Sequence, residues 1–128
     1  MDWLSIVAIS LSAAAGALVR YALGVSLNPI LINLPLGTLA ANLIGGLLMG
    51  IAMGVFTEFE TVPLAVRLAV TTGFLGGLTT FSTFSGETAA LLMRAHYGWA
   101  AALVIAHVLG SVLATFAGFG LARVALRA

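Results

Sequence analysis

The chain has 128 residues, 62% of them hydrophobic and only 7% charged, with a mean hydropathy of +1.19. A water-soluble domain carries about a quarter charged residues, so this chain cannot cover itself with polar groups and reads as an integral membrane protein. A net charge of +1, from five arginines against four acids with no lysine, excludes the basic surface of a nucleic-acid binder, and the lack of cysteine excludes thiolate metal sites and disulfides.

A spanning helix takes about 20 mostly apolar residues, and four segments qualify. The first, residues 3–23, follows Met1-Asp2-Trp3-Leu4, which has no basic leader of a cleavable signal peptide, so this span is expected to be retained. It carries Ser12, Gly16 and Arg20 at intervals of four. Arg20 is expected near the helix end, where two readings are open: an anchor whose charge snorkels to the interface, or a cation at a vestibule that attracts anions. Asn28-Pro29 and Asn33-Leu34-Pro35 break the chain before the second span, residues 36–56. That span places Asn42, Gly46, Gly50 and Gly54 on one face. The glycines read as a packing stripe for another helix; Asn42 reads equally as interhelical glue or as pore lining.

After Glu58, Glu60 and Pro63, the third segment, residues 63–93, is several residues too long for one span. Its middle, Gly76-Gly77-Leu78-Thr79-Thr80-Phe81-Ser82-Thr83-Phe84-Ser85, is poor helix-forming sequence, and a break is expected near residues 75–80. Non-helical backbone at membrane depth persists only where it is buried in protein or lines a cavity. A break makes two half-helices, one exposing carbonyls that suit a cation and the other exposing N–H groups that suit an anion. Phe81 and Phe84 share a face, either packing in lipid or core or turning their partly positive ring edges to an anion. Glu87 is the one acid placed inside a span.

The fourth span, residues 99–124, follows Arg94-Ala95-His96-Tyr97-Gly98 and aligns His107, Ser111 and Thr115 at intervals of four. A single hydroxyl in a membrane helix commonly bonds back one turn, but three aligned polar residues suggest a polar track. No second histidine or carboxylate sits at metal-ligand spacing from His107, which excludes a metal-hydrolase site. Trp3, Tyr21, Tyr97 and Trp99 fall near span ends, where such rings settle at headgroups. Four spans put both termini on one side, with Arg67, Arg123 and Arg127 there and Arg20 and Arg94 opposite. Three against two hardly orients a membrane protein. Either one orientation is weakly determined, or copies insert both ways and pair antiparallel.

Several blocks together resemble the small bacterial fluoride channels, the Fluc or CrcB family. They are Gly16-Ala17-x-x-Arg20-Tyr21, Pro35-x-Gly37-Thr38-Leu39-x-x-Asn42-x-x-Gly45, the run from Thr71 to Glu87, and Gly110-Ser111. Ala14-Ala15 departs from the glycines frequent in relatives. The resemblance implies an all-α membrane protein with four transmembrane helices per subunit, the third broken at its centre, assembled as an antiparallel dual-topology homodimer in the bacterial inner membrane. It implies passive export of cytoplasmic fluoride through two pores, conferring fluoride resistance. Asn42, Phe81, Phe84, Ser82 and Thr83 are then expected at the pore. Thr38, Glu87, His107, Ser111 and Thr115 form a polar track, and Arg20 lies at the vestibule. Backbone carbonyls of Gly76 and Thr79 are expected to hold a structural sodium ion (Na+) at the dimer interface.

The competing reading is a proton-coupled exporter of the small multidrug type, also four-helical and of dual topology. It requires a deep carboxylate that exchanges protons for a cationic substrate, and the first span has no acid. An enzyme such as a lipid kinase requires an acidic cluster and a nucleotide-phosphate site. Acids scattered at positions 2, 58, 60 and 87 provide neither, so no enzymatic activity and no nucleotide partner are expected.

Overall fold

A computed structural model describes the whole chain, residues 1–128. Helix α1 (Trp3–Leu27) ends in a 3-10 turn (Asn28–Ile30), and α2 spans Leu36–Glu58. The third segment is subdivided into α3 (Leu64–Leu68), a π-helical stretch (Ala69–Leu75), α4 (Gly76–Leu78) and α5 (Phe81–Met93). Helix α6 spans Tyr97–Arg127. Trp3–Ile30, Leu36–Glu58, Leu64–Met93 and Tyr97–Arg127 are each long and apolar enough to cross a membrane. At about 1.5 Å per residue, all four exceed the roughly 30 Å hydrocarbon layer.

Helices α1 and α2 start where expected and run past their expected C-terminal ends, α6 outruns its span at both ends, and the third segment keeps to Leu64–Met93. Asp2 opens α1 by accepting from the Ser5 N–H at 2.8 Å and the Ser5 hydroxyl at 2.7 Å. These bonds, the backbone one foremost, hold its carboxyl below the usual carboxylate range. Nothing in Gly24-Val25-Ser26-Leu27 stops α1 before Pro29, so Arg20 lies about two turns inside the helix instead of at its end. Helix α5 closes with Ala95 in the left-handed region (φ 58°), the Ala95 N–H on the Leu92 carbonyl and the His96 N–H on the Leu91 carbonyl. That Schellman turn uses few residues, and α6 starts at Tyr97.

Two close helix contacts build the bundle. The stripe Asn42, Gly46, Gly50, Gly54 of α2 faces the stripe His107, Ser111, Thr115, Ala122 of α6. Asn42 bonds His107, and a Cβ on Gly46 would press the Ser111 carbonyl. One on Gly50 would overlap the Thr115 carbonyl, and one on Gly54 would meet the Ala122 methyl. From the other side, a Cβ on Gly118 would strike the Leu47 carbonyl. The second contact sets α1 against the third segment. Cβ atoms on Gly16, Gly73 and Gly77 would run into Phe74, Ser12 and Ala13 respectively. In lipid, where apolar burial gives helices little drive to associate, such backbone approach supplies the attraction.

The π-helical stretch lies where this second contact forms. Its wider turns insert an extra residue into the helix and shift the register of every residue beyond Leu75. Leu75 and Leu78 are buried against Ala41, while Gly76 faces outward. Thr79 (φ −86°, ψ 155°) and Thr80 (φ −150°, ψ 113°) are then extended, and α5 restarts at Phe81 with the Thr80 hydroxyl accepting from the Thr83 N–H at 3.1 Å.

Glycines in the two classes of environment respond oppositely to a methyl group. Gly50→Ala forces α2 away from α6 and is expected to cost about 1–3 kcal/mol. At Gly120 a methyl group would meet nothing within 4 Å, so Gly120→Ala gains helix propensity, up to about 1 kcal/mol. Thermal unfolding in detergent checks both signs.

Candidate functional site

The extended pair creates the local problem from which the site is built. The Thr79 N–H still reaches the Leu75 carbonyl at 3.0 Å, and the Thr79 hydroxyl donates to the same carbonyl at 2.8 Å. Thr80 has no helical partner for either backbone group, and one side chain supplies both. The Thr80 N–H donates to Asn42 Oδ1 at 2.7 Å, and Asn42 Nδ2 donates to the Thr80 carbonyl at 3.0 Å. An amide side chain on α2 thus replaces the missing backbone partners of the third segment.

This pairing fixes more than the backbone. Because a backbone N–H can only donate, the Asn42 atom facing it is the carbonyl oxygen, and the other is the NH₂. Asn42 Nδ2 also lies 2.9 Å from His107 Nδ1, which must therefore accept. The proton of neutral His107 is then on Nε2. That Nε2 is buried and has no partner, on a residue only 3% exposed. Both amide hydrogens of Asn42 are engaged, so the donor left at this cluster is His107 Nε2–H. The His107 ring is held by a second contact, stacking on Phe84 with centroids 4.5 Å apart and planes at 25°.

Phe84 is buried and Phe81 is 77% exposed, and the two rings meet edge to face at 5.6 Å. Both line a cavity of about 450 Å³ together with Asn42, His107, Gly76, Thr79 and Thr80. Ser111 and Thr115 reach the same cavity, but each hydroxyl donates within α6, to the Val108 carbonyl at 3.3 Å and the Ser111 carbonyl at 2.9 Å. Ser82 and Thr83 lie on the exposed face of α5 beside Phe81. The Thr80 hydroxyl donates to Thr83 Oγ1 at 2.9 Å and lies 3.4 Å from Ser82 Oγ.

A second recess, about 340 Å³, opens on the other side of Thr80 and is lined by Arg20, Asn28, Thr38 and Thr83 among others. Arg20 does not snorkel. Its Nε donates to the Gly77 carbonyl at 3.0 Å, across to the end of α4. A guanidinium there complements the partial negative charge of a helix C-terminus. Thr38 donates to Glu87 Oε1 at 2.6 Å, leaving Glu87 Oε2 buried without a partner.

All the expected site residues except Arg20, Thr38, Glu87, Ser82 and Thr83 therefore meet around one cavity, and Arg20, Thr38 and Thr83 meet in the adjoining recess. Besides the Asn42–Thr80 and Thr38–Glu87 bonds, two contacts escaped the sequence reading. One is Arg20 on the Gly77 carbonyl. The other is Asn28, whose Oδ1 accepts from the Gly37 and Thr38 N–H groups at 2.7 and 3.1 Å. A signal for the second was present: α2 begins after Pro35, which cannot cap a helix with its side chain.

Asn42→Ala removes the partner of the Thr80 N–H, the Thr80 carbonyl and His107 Nδ1 together. At about 1–3 kcal/mol per buried group left unpaired, we expect a large fall in melting temperature in detergent. Asn42→Asp offers an acceptor to His107 where Asn42 offers a donor. Histidine ¹⁵N spectra should show protonated Nε2 in the native protein and a proton on Nδ1 in Asn42→Asp; protonated Nδ1 in the native chain refutes the assignment.

A family model described as "CrcB-like protein, Camphor Resistance (CrcB)" matches residues 7–119. The chain is 50% identical over 116 residues to the "Fluoride-specific ion channel FluC" of Pseudomonas aeruginosa (strain UCBPP-PA14), covering 91% of each chain. It is 51% identical over 115 residues to the protein of that name from Dechloromonas aromatica (strain RCB), covering 90% of this chain and 85% of the other. It is 48% identical over 118 residues to the one from Nitrosospira multiformis (strain ATCC 25196), covering 92% of each. With its four membrane-spanning helices and a match over nearly its whole length, the chain belongs to the CrcB family.

Proposed function

We propose that this chain is a fluoride-specific ion channel of the bacterial inner membrane, not an enzyme, that lets cytoplasmic fluoride leave passively and so confers fluoride resistance. The observation that carries the reading is identity near 50% over about nine-tenths of the chain with proteins named for that activity. Fluoride enters acidified cells as neutral HF and dissociates in the more alkaline cytoplasm, where the anion is trapped. An open path lets the membrane potential drive it out, with about 2.3 kcal/mol per charge per 100 mV.

The site suits an anion because its uncommitted polar atoms are mainly donors. His107, which lines the cavity, has a buried Nε2–H without a partner, the guanidinium of Arg20 retains its terminal N–H groups beyond the one bond it makes, and Ser82 and Thr83 are exposed on α5, against one buried acceptor left unpaired, Glu87 Oε2. Asn42 acts in this scheme by orienting His107 and Thr80. His107 covers one face of Phe84, which leaves that ring's electropositive rim to meet an ion that has shed water. Thr38 holds Glu87 through Oε1 while Oε2 is buried without a partner, and the first span carries no acid of the kind that proton-for-cation exchange requires.

The working unit in this reading is an antiparallel homodimer with two pores. An outward face carrying Phe81, Ser82, Thr83 and Ser85 beside an open cavity is a poor surface for lipid and a good one for a second copy. A structural Na+ between copies fits the end of α4. The Thr79 and Thr80 N–H groups bond Leu75 and Asn42, so neither turns to the Gly76 carbonyl, and Gly76 is exposed. Carbonyl oxygens at a helix C-terminus suit a hard cation. Gly76 and Thr79 from each copy would hold it, and its charge would draw the two breaks together.

Liposomes containing only the purified protein, loaded with potassium fluoride and treated with valinomycin, should lose fluoride quickly and chloride hardly at all. Equal loss of both ions, or dependence on a proton gradient, refutes the proposal. Phe81→Ile and Phe84→Ile should each slow fluoride efflux by roughly tenfold, equivalent to about 1.4 kcal/mol at the barrier, with the dimer intact on gel filtration. Crosslinking of engineered cysteine pairs should recover antiparallel dimers; parallel dimers alone would exclude the dual-topology arrangement.

A further inference from the structure

Apart from Ser5 and Thr80, which donate to side chains near them in sequence, the bonded hydroxyl groups of the bundle fall into two classes. Ser10, Ser12, Thr57, Thr71, Thr79, Thr88, Ser111 and Thr115 all donate to a carbonyl three or four residues back in their own segment. This is the ordinary behaviour of such residues in membrane helices. Thr38 is different. It stands in the first turn of α2, where the carbonyl four residues back, that of Leu34, lies outside the helix and the one three back, that of Pro35, accepts from the Leu39 N–H. Its hydroxyl crosses to α5 and bonds Glu87.

What holds Thr38 in the first turn is Asn28. The first N–H groups of any helix lack partners inside it, and Pro35 at the N-cap supplies no side-chain acceptor. Asn28, at the end of α1, reaches over with Oδ1 and takes the Gly37 and Thr38 N–H groups. Both are donors, so the orientation of the Asn28 amide is fixed. Close packing of the two helices makes the reach possible, since a Cβ on Gly37 would collide with the Leu23 carbonyl.

We propose that Asn28 is a positioning residue of the pore. By capping α2 from the preceding helix it fixes where α2 begins, directs the Thr38 hydroxyl away from its own helix, and so holds Glu87 by one oxygen with the other buried and unpaired. The consequence is a directed chain from the loop to the polar track: Asn28, then Thr38, then Glu87. Asn28 and Thr38 share the recess with Arg20, so the same cap shapes the entrance through which the proposed channel admits its ion. The functional part of this inference rests on the fluoride-channel reading, whereas the coupling of Asn28 to Glu87 does not.

The test separates the two. Infrared difference spectra of the purified protein, with the Glu87 carboxyl band identified by its absence in Glu87→Gln, report the Thr38–Glu87 bond whether or not the protein conducts. Thr38→Val should shift that band. Asn28→Ala should shift it the same way, although residue 28 does not touch Glu87. Asn28→Asp, which still offers an acceptor to both N–H groups, should leave it near the native position. In liposomes Asn28→Ala and Thr38→Val should each reduce fluoride efflux severalfold, and the double variant should be no slower than the slower single, because both remove the same link.

A Glu87 band that stays put in Asn28→Ala, or that moves equally in Asn28→Asp, overturns the proposal. So do flux losses that multiply in the double variant. If Asn28→Ala does not give a monodisperse protein, Asn28→Ser takes its place under the same criteria, since its shorter side chain cannot serve both N–H groups. If no variant, nor the native protein, passes fluoride while the band shifts keep to the expected order, the channel reading fails and the positioning role of Asn28 toward Glu87 stands.

Discussion

A backbone N–H and C=O left without partners in an apolar medium cost several kcal/mol each, and Thr80 presents both. Asn42 answers the two at once, as a neighbouring strand would, with bonds of 2.7 and 3.0 Å. Most of the site derives from that constraint. The amide orientation is dictated by the Thr80 N–H, the histidine tautomer by the amide, and the Phe84 ring position by the stacked histidine. A polar cluster with every member determined by its neighbour is rigid in a way that a set of independent hydroxyls is not. Its one buried leftover on the α6 side is His107 Nε2.

The clamp depends in turn on how near the helices stand. Asn42 is a short side chain, and it reaches both the third segment and α6 only because glycines below it let the backbones close. Gly46 and Gly50 lie against Ser111 and Thr115, and Gly45 lies against the Thr79 side chain. On the opposite flank Gly16, Gly73 and Gly77 bring α1 against the third segment, which puts Arg20 within reach of the Gly77 carbonyl. The break is thus gripped from two sides, by a cation at the end of α4 and by an amide at Thr80. The π-helical stretch ahead of it sets the register in which those two grips fall.

Much of this arrangement was legible in the sequence, and the parts that were not share a physical cause. Hydropathy reads the four spans because each must cross an apolar layer on its own residues. The two stripes of period four were readable for the same reason, as properties of single helices. That they face each other, Asn42 on His107 and Gly50 on Thr115, is a relation between helices, which periodicity does not carry. Ser111 and Thr38 are both hydroxyl residues on apolar helices, yet one hydroxyl returns to the Val108 carbonyl of its own helix and the other crosses to Glu87. Arg20 lies deeper than the expected end at Leu23 implies, because α1 runs on to Leu27; of its two readings, the snorkelling anchor gives way to a side chain that bonds the Gly77 carbonyl and lines a recess. The π-helical turns at Ala69–Leu75 leave no compositional mark at all.

The balance of donors and acceptors left over after folding bears on the sign of the ion. A single chain that must bury a break has to satisfy it, and each satisfied group is lost to any ligand. Asn42, polar and at the cavity, keeps no free hydrogen, and Ser111 and Thr115 have committed theirs. The remaining groups are of both kinds. His107 Nε2 and the Arg20 terminal nitrogens are donors, Glu87 Oε2 is a buried acceptor without a partner, and the exposed Gly76 at the start of α4 lines the same cavity as His107. A helix broken once therefore generates both polarities within a few residues, and α5 presents Phe81, Ser82 and Thr83 outward from the donor side. In the proposed channel, the anion path is a result of that division: the break is stabilised by groups which thereby withdraw from the ion, and the pore is made of those that had no one else to serve.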